Sequence, residues 1–173
     1  MKLSETALTV LKNFSSINSG VVLQEGNIQK TISPEKSILV EAELEDSFPV
    51  QFGIYDLNTF LGNITTLSSP DVEFTSSTAT MSDGQVKFDF YPCAASLIVS
   101  PPNKSLVMKQ VDISFSLAHA SLQKLLKLAS MNSLPNLSVI GKNGEIRLET
   151  HEKSNDTSNV ASIKLNDYDG EDF

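Results

Sequence analysis

The chain has 173 residues, with 13 Lys and Arg against 21 Asp and Glu, a formal net charge of -8 and a pI near 4.7. That balance speaks against a simple basic nucleic-acid binder, although net charge says nothing about where the charges sit. The single cysteine, Cys93, excludes an intramolecular disulfide, and no apolar stretch approaches the ~20 residues needed to span a bilayer.

In chain order, one unit recurs three times: a short strand, an amphipathic helix, then three strands. The first pass is Met1–Ser4, Glu5–Ile17, Val21–Gln24, Ile28–Ile32 and Ile38–Leu44. The second is Val50–Tyr55, Asp56–Ile64, Val72–Ser76, Ala79–Met81 and Val86–Tyr91. The third is Val111–Leu117, Ala118–Met131, Leu137–Ile140, Ile146–Thr150 and Val160–Leu165. Repetition on this scale specifies architecture before detail. One helix covers only part of a sheet, so units must pair to close a core. Units one and two can pair, and unit three has no partner within the chain. Hairpin turns are expected at Glu25-Gly26-Asn27, Ser82-Asp83-Gly84 and Lys142-Asn143-Gly144. Ser100-Pro101-Pro102-Asn103-Lys104-Ser105 reads as a stiff connector, because its prolines donate no backbone hydrogen bond. The expected division is a first domain over residues 1–100, a connector over 101–106 and a second domain over 107–173. Lys153–Asn159 reads as a polar loop.

Helical spacing places Ala7, Leu8, Leu11, Phe14 and Ile17 on one stripe, with Ser4 as N-cap and Glu5, Thr9, Lys12, Asn13 and Ser16 opposite. Leu57, Phe60, Leu61 and Ile64 form the second stripe, and Ala118, Leu122, Leu125, Leu126 and Ala129 the third; Leu128 falls off the pattern. The only acids in these helices, Glu5 and Asp56, lie at N-termini, where the helix dipole favours a carboxylate. The outer helical faces therefore carry Lys12, Lys124 and Lys127 among amides and hydroxyls, while acids crowd segments such as Glu41-Ala42-Glu43-Leu44-Glu45-Asp46. Spacing alone allows two readings. One is an ordinary solvated face; the other is a surface that meets a polyanion while the rest of the molecule repels it.

Leu11-Lys12-Asn13-Phe14 with Ile17-Asn18-Ser19-Gly20, and Ile54-Tyr55-Asp56-Leu57-Asn58 with Phe60-Leu61-Gly62, resemble the DNA polymerase sliding clamps of T-even-type bacteriophages. Asp167-Tyr168-Asp169-Gly170-Glu171 resembles a later segment of the same family, and the similarity runs colinearly along the chain. The resemblance implies an α+β, DNA-clamp-like fold of repeated β-α-β-β-β units, with antiparallel sheets and helices on one face. It implies a clamp that encircles duplex DNA independently of sequence and tethers the phage DNA polymerase. Lys12, Lys124 and Lys127 are then the DNA-binding candidates. It further implies an ATP-driven clamp loader, a polymerase tail peptide in an apolar surface pocket, a homotrimer when full length, and a role in late transcription. No cofactor, metal or membrane association is implied, and the site of action is the cytoplasm of the infected bacterial host. A clamp subunit would carry a fourth unit after Gly170, so the second domain is expected to be incomplete.

Catalytic readings are weak. His119 and His151 are the only histidines, and Cys93 beside Pro92 reads as a buried thiol at a strand end. No Cys–His spacing suits zinc, and no Gly-rich phosphate loop is present. The chain is therefore not expected to be an enzyme. The alternative to a clamp is a β-rich phage structural or scaffold protein without a DNA-binding role, which leaves the acid-poor helix faces without a cause.

Overall fold

The computed structural model describes residues 1–102, 111–155 and 157–173. Contacts divide the chain into two compact units, Met1–Ser105 and Leu106–Phe173, each with its own helix-and-sheet core. Of the expected connector, residues 103–106 lie outside the described residues.

The first unit runs α1 (Glu5–Ile17), β1 (Val21–Leu23), β2 (Gly26–Ile32), β3 (Leu39–Phe48), β4 (Phe52–Ile54), α2 (Leu57–Thr66), β5 (Asp71–Phe74), β6 (Ala79–Ser82) and β7 (Lys87–Phe90), then a 3-10 turn at Ala95–Leu97. The strands pair antiparallel as β1–β4, β2–β3 and β5–β6–β7. Helix α1 starts where Ser4 leaves helical geometry and accepts the Ala7 N–H at 3.0 Å. The Ser4 hydroxyl in turn donates to Asp46, whose carboxylate also accepts the Ser4 N–H at 3.2 Å. One serine thus caps the helix and pins it to β3. Helix α2 starts at Asp56, which accepts both the N–H and the hydroxyl of Thr59 at 2.9 Å. Those bonds hold its carboxyl below the usual carboxylate range.

The two helices pack against each other, and α1 also packs on β2 and β3. Their stripes converge on one core: Ala7, Leu11 and Phe14 from α1, and Leu57, Phe60, Leu61 and Ile64 from α2. Leu8 is half-buried beside this core, and Ile17 at the helix end is half-buried. Phe74 sits edge-on to Phe48 and Phe52, each with ring centroids 5.4 Å apart, and tilts against Phe60 at 6.3 Å. Edge-to-face rings add to the hydrophobic gain of their burial.

Where α1 ends, Asn18 is buried and fully engaged. Its amide donates to Ile32 O at 2.9 Å and Val99 O at 3.0 Å, and its carbonyl accepts the Gly20 N–H at 3.1 Å. The next residue continues the knot, since Ser19 O accepts the Leu57 N–H at 2.8 Å. Asn18→Ala leaves these groups without partners in a buried setting. The expected loss is about 1–3 kcal/mol in urea unfolding. A change under about 0.5 kcal/mol, the scale of an ordinary surface substitution, would show that water replaces the amide.

The second unit comprises α3 (His119–Met131), β8 (Asn136–Lys142), β9 (Glu145–His151) and β10 (Ala161–Asp167), in the sheet order β10-β9-β8. Helix α3 packs on β9 and β10. Its buried residues are Leu125 and Ala129, and Leu134, Ile146 and Leu148 are the other buried hydrophobic residues among those described in the unit. Within the expected loop at Lys153–Asn159, Asp156 lies outside the described residues.

Several expectations change. Val111–Leu117 has the alternation of a strand but forms none. Met1–Ser4 is not a strand either; Met1 alone exchanges two backbone bonds with Val72, at 2.8 and 2.7 Å. On α3 the stripe is narrower than expected, with Ala118 and Leu126 exposed and Leu122 half-buried. Among the described residues α3 packs on β9 and β10 along one line, and the flanks of the stripe lie in solvent. Cys93 lies outside any strand and is half-buried. Partial burial still pushes its thiol up.

Candidate nucleic-acid interface

Each unit presents one lysine-bearing helix face. On α1 the exposed positions are Glu5, Thr6, Thr9, Lys12, Asn13 and Ser16. The Ser15 and Ser16 hydroxyls donate back to Lys12 O at 2.8 Å and Asn13 O at 2.6 Å, so they leave Lys12 and Asn13 as the outward polar groups of that turn. On α3, Lys124 and Lys127 stand three residues apart on the same exposed face, around a shallow depression shared with Gln123 and Leu126. The exposed face of α2 is uncharged, with Asn58, Thr59, Thr65 and Thr66. Lys124 and Lys127 are therefore brought together, while Lys12 stands in the other unit.

Apart from Asp46, the carboxylates of β3 and β5 lie on the other side of the sheets from the helices, while Glu5 and Asp56 sit at helix N-termini. On β3, Val40, Ala42, Leu44 and Phe48 face the helices, and Glu41, Glu43 and Glu45 point outward. On β5, Val72 and Phe74 face inward, and Asp71 and Glu73 outward. Strand alternation and helix periodicity together put carboxylates on one surface of the unit and a lysine among hydroxyls and amides on the other. Lys30 lies on the acidic side and pairs with Glu41 at 2.6 Å.

A second feature of the first unit was not legible in the sequence. Val22, Gln24, Ile28, Lys30 and Gln51 line a groove of about 710 Å³ together with Ala95, Ile98, Ser100, Pro101 and Pro102. Its walls meet because the Cys93 N–H donates to Gly53 O at 2.9 Å, which brings the 93–102 segment against β4. The approach requires glycine: a Cβ at position 53 would stand 2.4 Å from Cys93 O. Buried Gln29 shapes the other wall, donating to Gln24 O at 2.9 Å and Gly26 O at 3.1 Å while accepting the Gln24 N–H at 2.8 Å. The groove joins three separated stretches of chain, and the Pro101-Pro102 pair was its one sequence signal.

The remaining chemical candidates do not assemble. His119 is exposed at the start of α3, and His151 sits in β9 with Nε2 2.9 Å from the Ser138 hydroxyl. Among the described residues, no three His, Cys, Asp or Glu side chains are placed to hold a metal ion. No described helix is long and apolar enough to cross a membrane.

Residues 2–89 match the family of DNA polymerase processivity factors. The chain is 32% identical over 180 aligned positions to the sliding clamp of Enterobacteria phage T4, covering 99% of this chain and 77% of that protein. It is 31% identical over 179 positions to the sliding clamp of Escherichia phage RB69, covering 98% and 76%. The Vibrio phage KVP40 sliding clamp is 31% identical over 142 positions, covering 80% and 64%. Among solved structures, the proliferating cellular nuclear antigen of Entamoeba histolytica shares the fold with a TM-score of 0.57 at 14% identity, covering 95% of this chain and 73% of that one. The PCNA2–PCNA3 complex of Sulfolobus tokodaii shares it at 0.55 and 12%, covering 95% and 74%. These likenesses do not favour a structural or scaffold protein, and sliding clamps are processivity factors rather than enzymes. By sequence across nearly all of its length, and by an α+β clamp fold, this chain belongs to the DNA polymerase processivity factor family, the sliding clamps.

Proposed function

We propose that the chain acts as a subunit of a ring that encloses duplex DNA and holds the phage replicative polymerase on its template. The observation that carries this reading is the separation of charge in the first unit, where α1 offers Lys12 without a neighbouring acid beyond its first turn and β3 and β5 turn their carboxylates outward. Lys124 and Lys127 on α3 add the same chemistry from the second unit. A closed ring cannot leave DNA sideways, so its contacts need not be strong or sequence-specific. Each phosphate contact displaces condensed counterions and adds affinity. Many such contacts would slow sliding, so a few lysines among hydroxyls and amides suit the task.

In this reading three copies of the full-length subunit close the ring, an ATP-driven loader opens it, and the complex works in the cytoplasm of the infected host. The groove beside Ile98 and Pro101 is assigned to the tail peptide of the polymerase. Its apolar floor of Val22, Ile28 and Ile98 takes side chains, and Gln24 and Gln51 meet the peptide backbone. The same groove would serve the late-transcription partner.

The topological claim is tested with circular and linear DNA. Clamp loaded onto a nicked circle is expected to remain through gel filtration and to be lost once one restriction cut opens the circle. Equal retention on cut and uncut DNA would mean that it binds laterally and does not encircle.

A further inference from the structure

Asn18 ends α1 and bonds to both walls of the groove in the first unit. Its own N–H donates to Phe14 O at 2.9 Å and closes the last turn of the helix. Its buried side-chain amide then donates to two carbonyls that lie far apart in sequence. One is Ile32 O, at 2.9 Å, at the end of β2, whose Ile28 and Lys30 line one wall. The other is Val99 O, at 3.0 Å and 81 residues along the chain, between Ile98 and Ser100 of the facing wall. The amide oxygen accepts the Gly20 N–H at 3.1 Å. Gly20 is buried, and a Cβ there would stand 3.4 Å from Ile98 Cγ1. The wall at Ile98 therefore rests on the turn that Asn18 holds.

The wall over residues 93–102 needs such a tie, because it forms no strand. Its 3-10 turn uses its own donors, with the Leu97 and Ile98 N–H groups bonded to Ala94 O and Ala95 O at 3.0 and 3.1 Å. Pro101 and Pro102 have no N–H to offer. The start of the segment is tied by the Cys93 N–H to Gly53 O. Its far end is tied by Val99 O to Asn18. Capping α1 does not by itself call for asparagine, since the cap bond to Phe14 O comes from the backbone, which any residue but proline supplies. The two carbonyls do call for it. A short side chain must offer two N–H donors and one acceptor, and a serine hydroxyl offers a single donor.

We infer that Asn18 is the positioning residue of the groove, a clasp that holds the 93–102 wall at a set distance from β2 so that the site is formed before a peptide arrives. The inference rests on the assignment of this groove to the polymerase tail peptide. Asn18 does not line the groove; it acts through Val99 and Ile32. A preformed site spares the peptide the cost of ordering the wall. Without the clasp the wall opens locally, and apparent affinity falls by the fraction of time the groove remains formed.

The test compares Asn18→Ala, Asn18→Ser and Leu11→Ala with the unchanged chain, at a temperature where circular dichroism shows each one folded. Two quantities are read: amide hydrogen exchange, and binding of a fluorescent peptide copied from the carboxy-terminal tail of the phage polymerase. In Asn18→Ala the Cys93 and Ile98 amides are expected to exchange at least about tenfold faster through local opening, while those of Leu11 and Phe14 stay slow. If the groove is then formed about a tenth of the time, the peptide binds about tenfold more weakly. Asn18→Ser, which keeps one donor, should fall between, and it decides alone if Asn18→Ala does not fold. Leu11→Ala should bind the peptide as the unchanged chain does, despite its lower stability. Unchanged exchange at Cys93 and Ile98 overturns the clasp. Faster exchange with unchanged peptide affinity, or an equal loss of affinity in Leu11→Ala, overturns its role in binding. Failure of the unchanged chain to bind the peptide overturns the assignment of the groove instead, and the exchange pattern then judges the clasp.

Discussion

Changing Lys12, Lys124 and Lys127 together to glutamate is expected to abolish processive synthesis on a long primed template while leaving the thermal midpoint almost unchanged. All three side chains are exposed, so their replacement disturbs no packing. Exposed substitutions of this kind usually stay within about 0.5 kcal/mol of neutral. The electrostatic change is large by comparison. Each replacement shifts the charge by two, and three shift the subunit from -8 to -14. In an assembled ring that change repeats in every subunit and would face the phosphates with carboxylates, where the counterion-release gain becomes repulsion. Primer extension measured as product length, in the presence of loader and polymerase, reads the effect directly. Full-length products from the triple variant would remove these lysines from the DNA path. Loss of activity together with a large fall in thermal midpoint would mean that the faces are structural.

Leu11→Ala is expected to destabilise the first unit by about 2–5 kcal/mol, the range for deleting a fully buried leucine side chain. Leu11 is 0% exposed and lies between Ala7 and Phe14 on the buried stripe of α1, so little can move in to fill the space. Leu128→Ala serves as the matched control. Leu128 is 47% exposed on α3, and its truncation should cost under about 0.5 kcal/mol. The pair separates a packing effect from the small change in helix propensity that both substitutions share. Urea unfolding followed through the transition of each unit gives both numbers. Similar losses from the two variants would show that the stripe on α1 is not the core contact.

Much of the first unit was legible because local and global signals agree there. The α1 stripe, its Ser4 cap and the Glu5–Ile17 bounds were all in the spacing, and the same holds for Leu57, Phe60, Leu61 and Ile64 in α2. Agreement failed in the second unit. Val111, Ile113, Phe115 and Leu117 alternate as a strand should, yet alternation supplies only a face. A strand also needs a neighbour for its backbone groups, and none of the described strands pairs there. Leu126 likewise fits the helical period but stays 39% exposed, because periodicity cannot say how wide a sheet will meet the helix. The lysine faces could be read from the sequence as positions, since exposure follows from the opposite stripe. The groove could not. It depends on Gly53 admitting the distant Cys93 backbone, a contact that no local pattern records, and on Gln29 turning its amide onto Gln24 and Gly26.

The alternation in β3 also guards the pairing of the β2–β3 hairpin against error. Over residues 40–45 each helix-facing residue has an outward glutamate beside it, so sliding the strand by one position exchanges the two sets there. A slipped hairpin would drive Glu41, Glu43 and Glu45 into the space beneath Leu11 and Phe14 and turn Val40, Ala42 and Leu44 out to water. Carboxylates cannot enter such a site without losing their charge or forcing the core open. Mispaired states of this hairpin are thus too unstable to persist as traps during folding, and the three glutamates proofread the register of the strand whose far end receives the cap of α1.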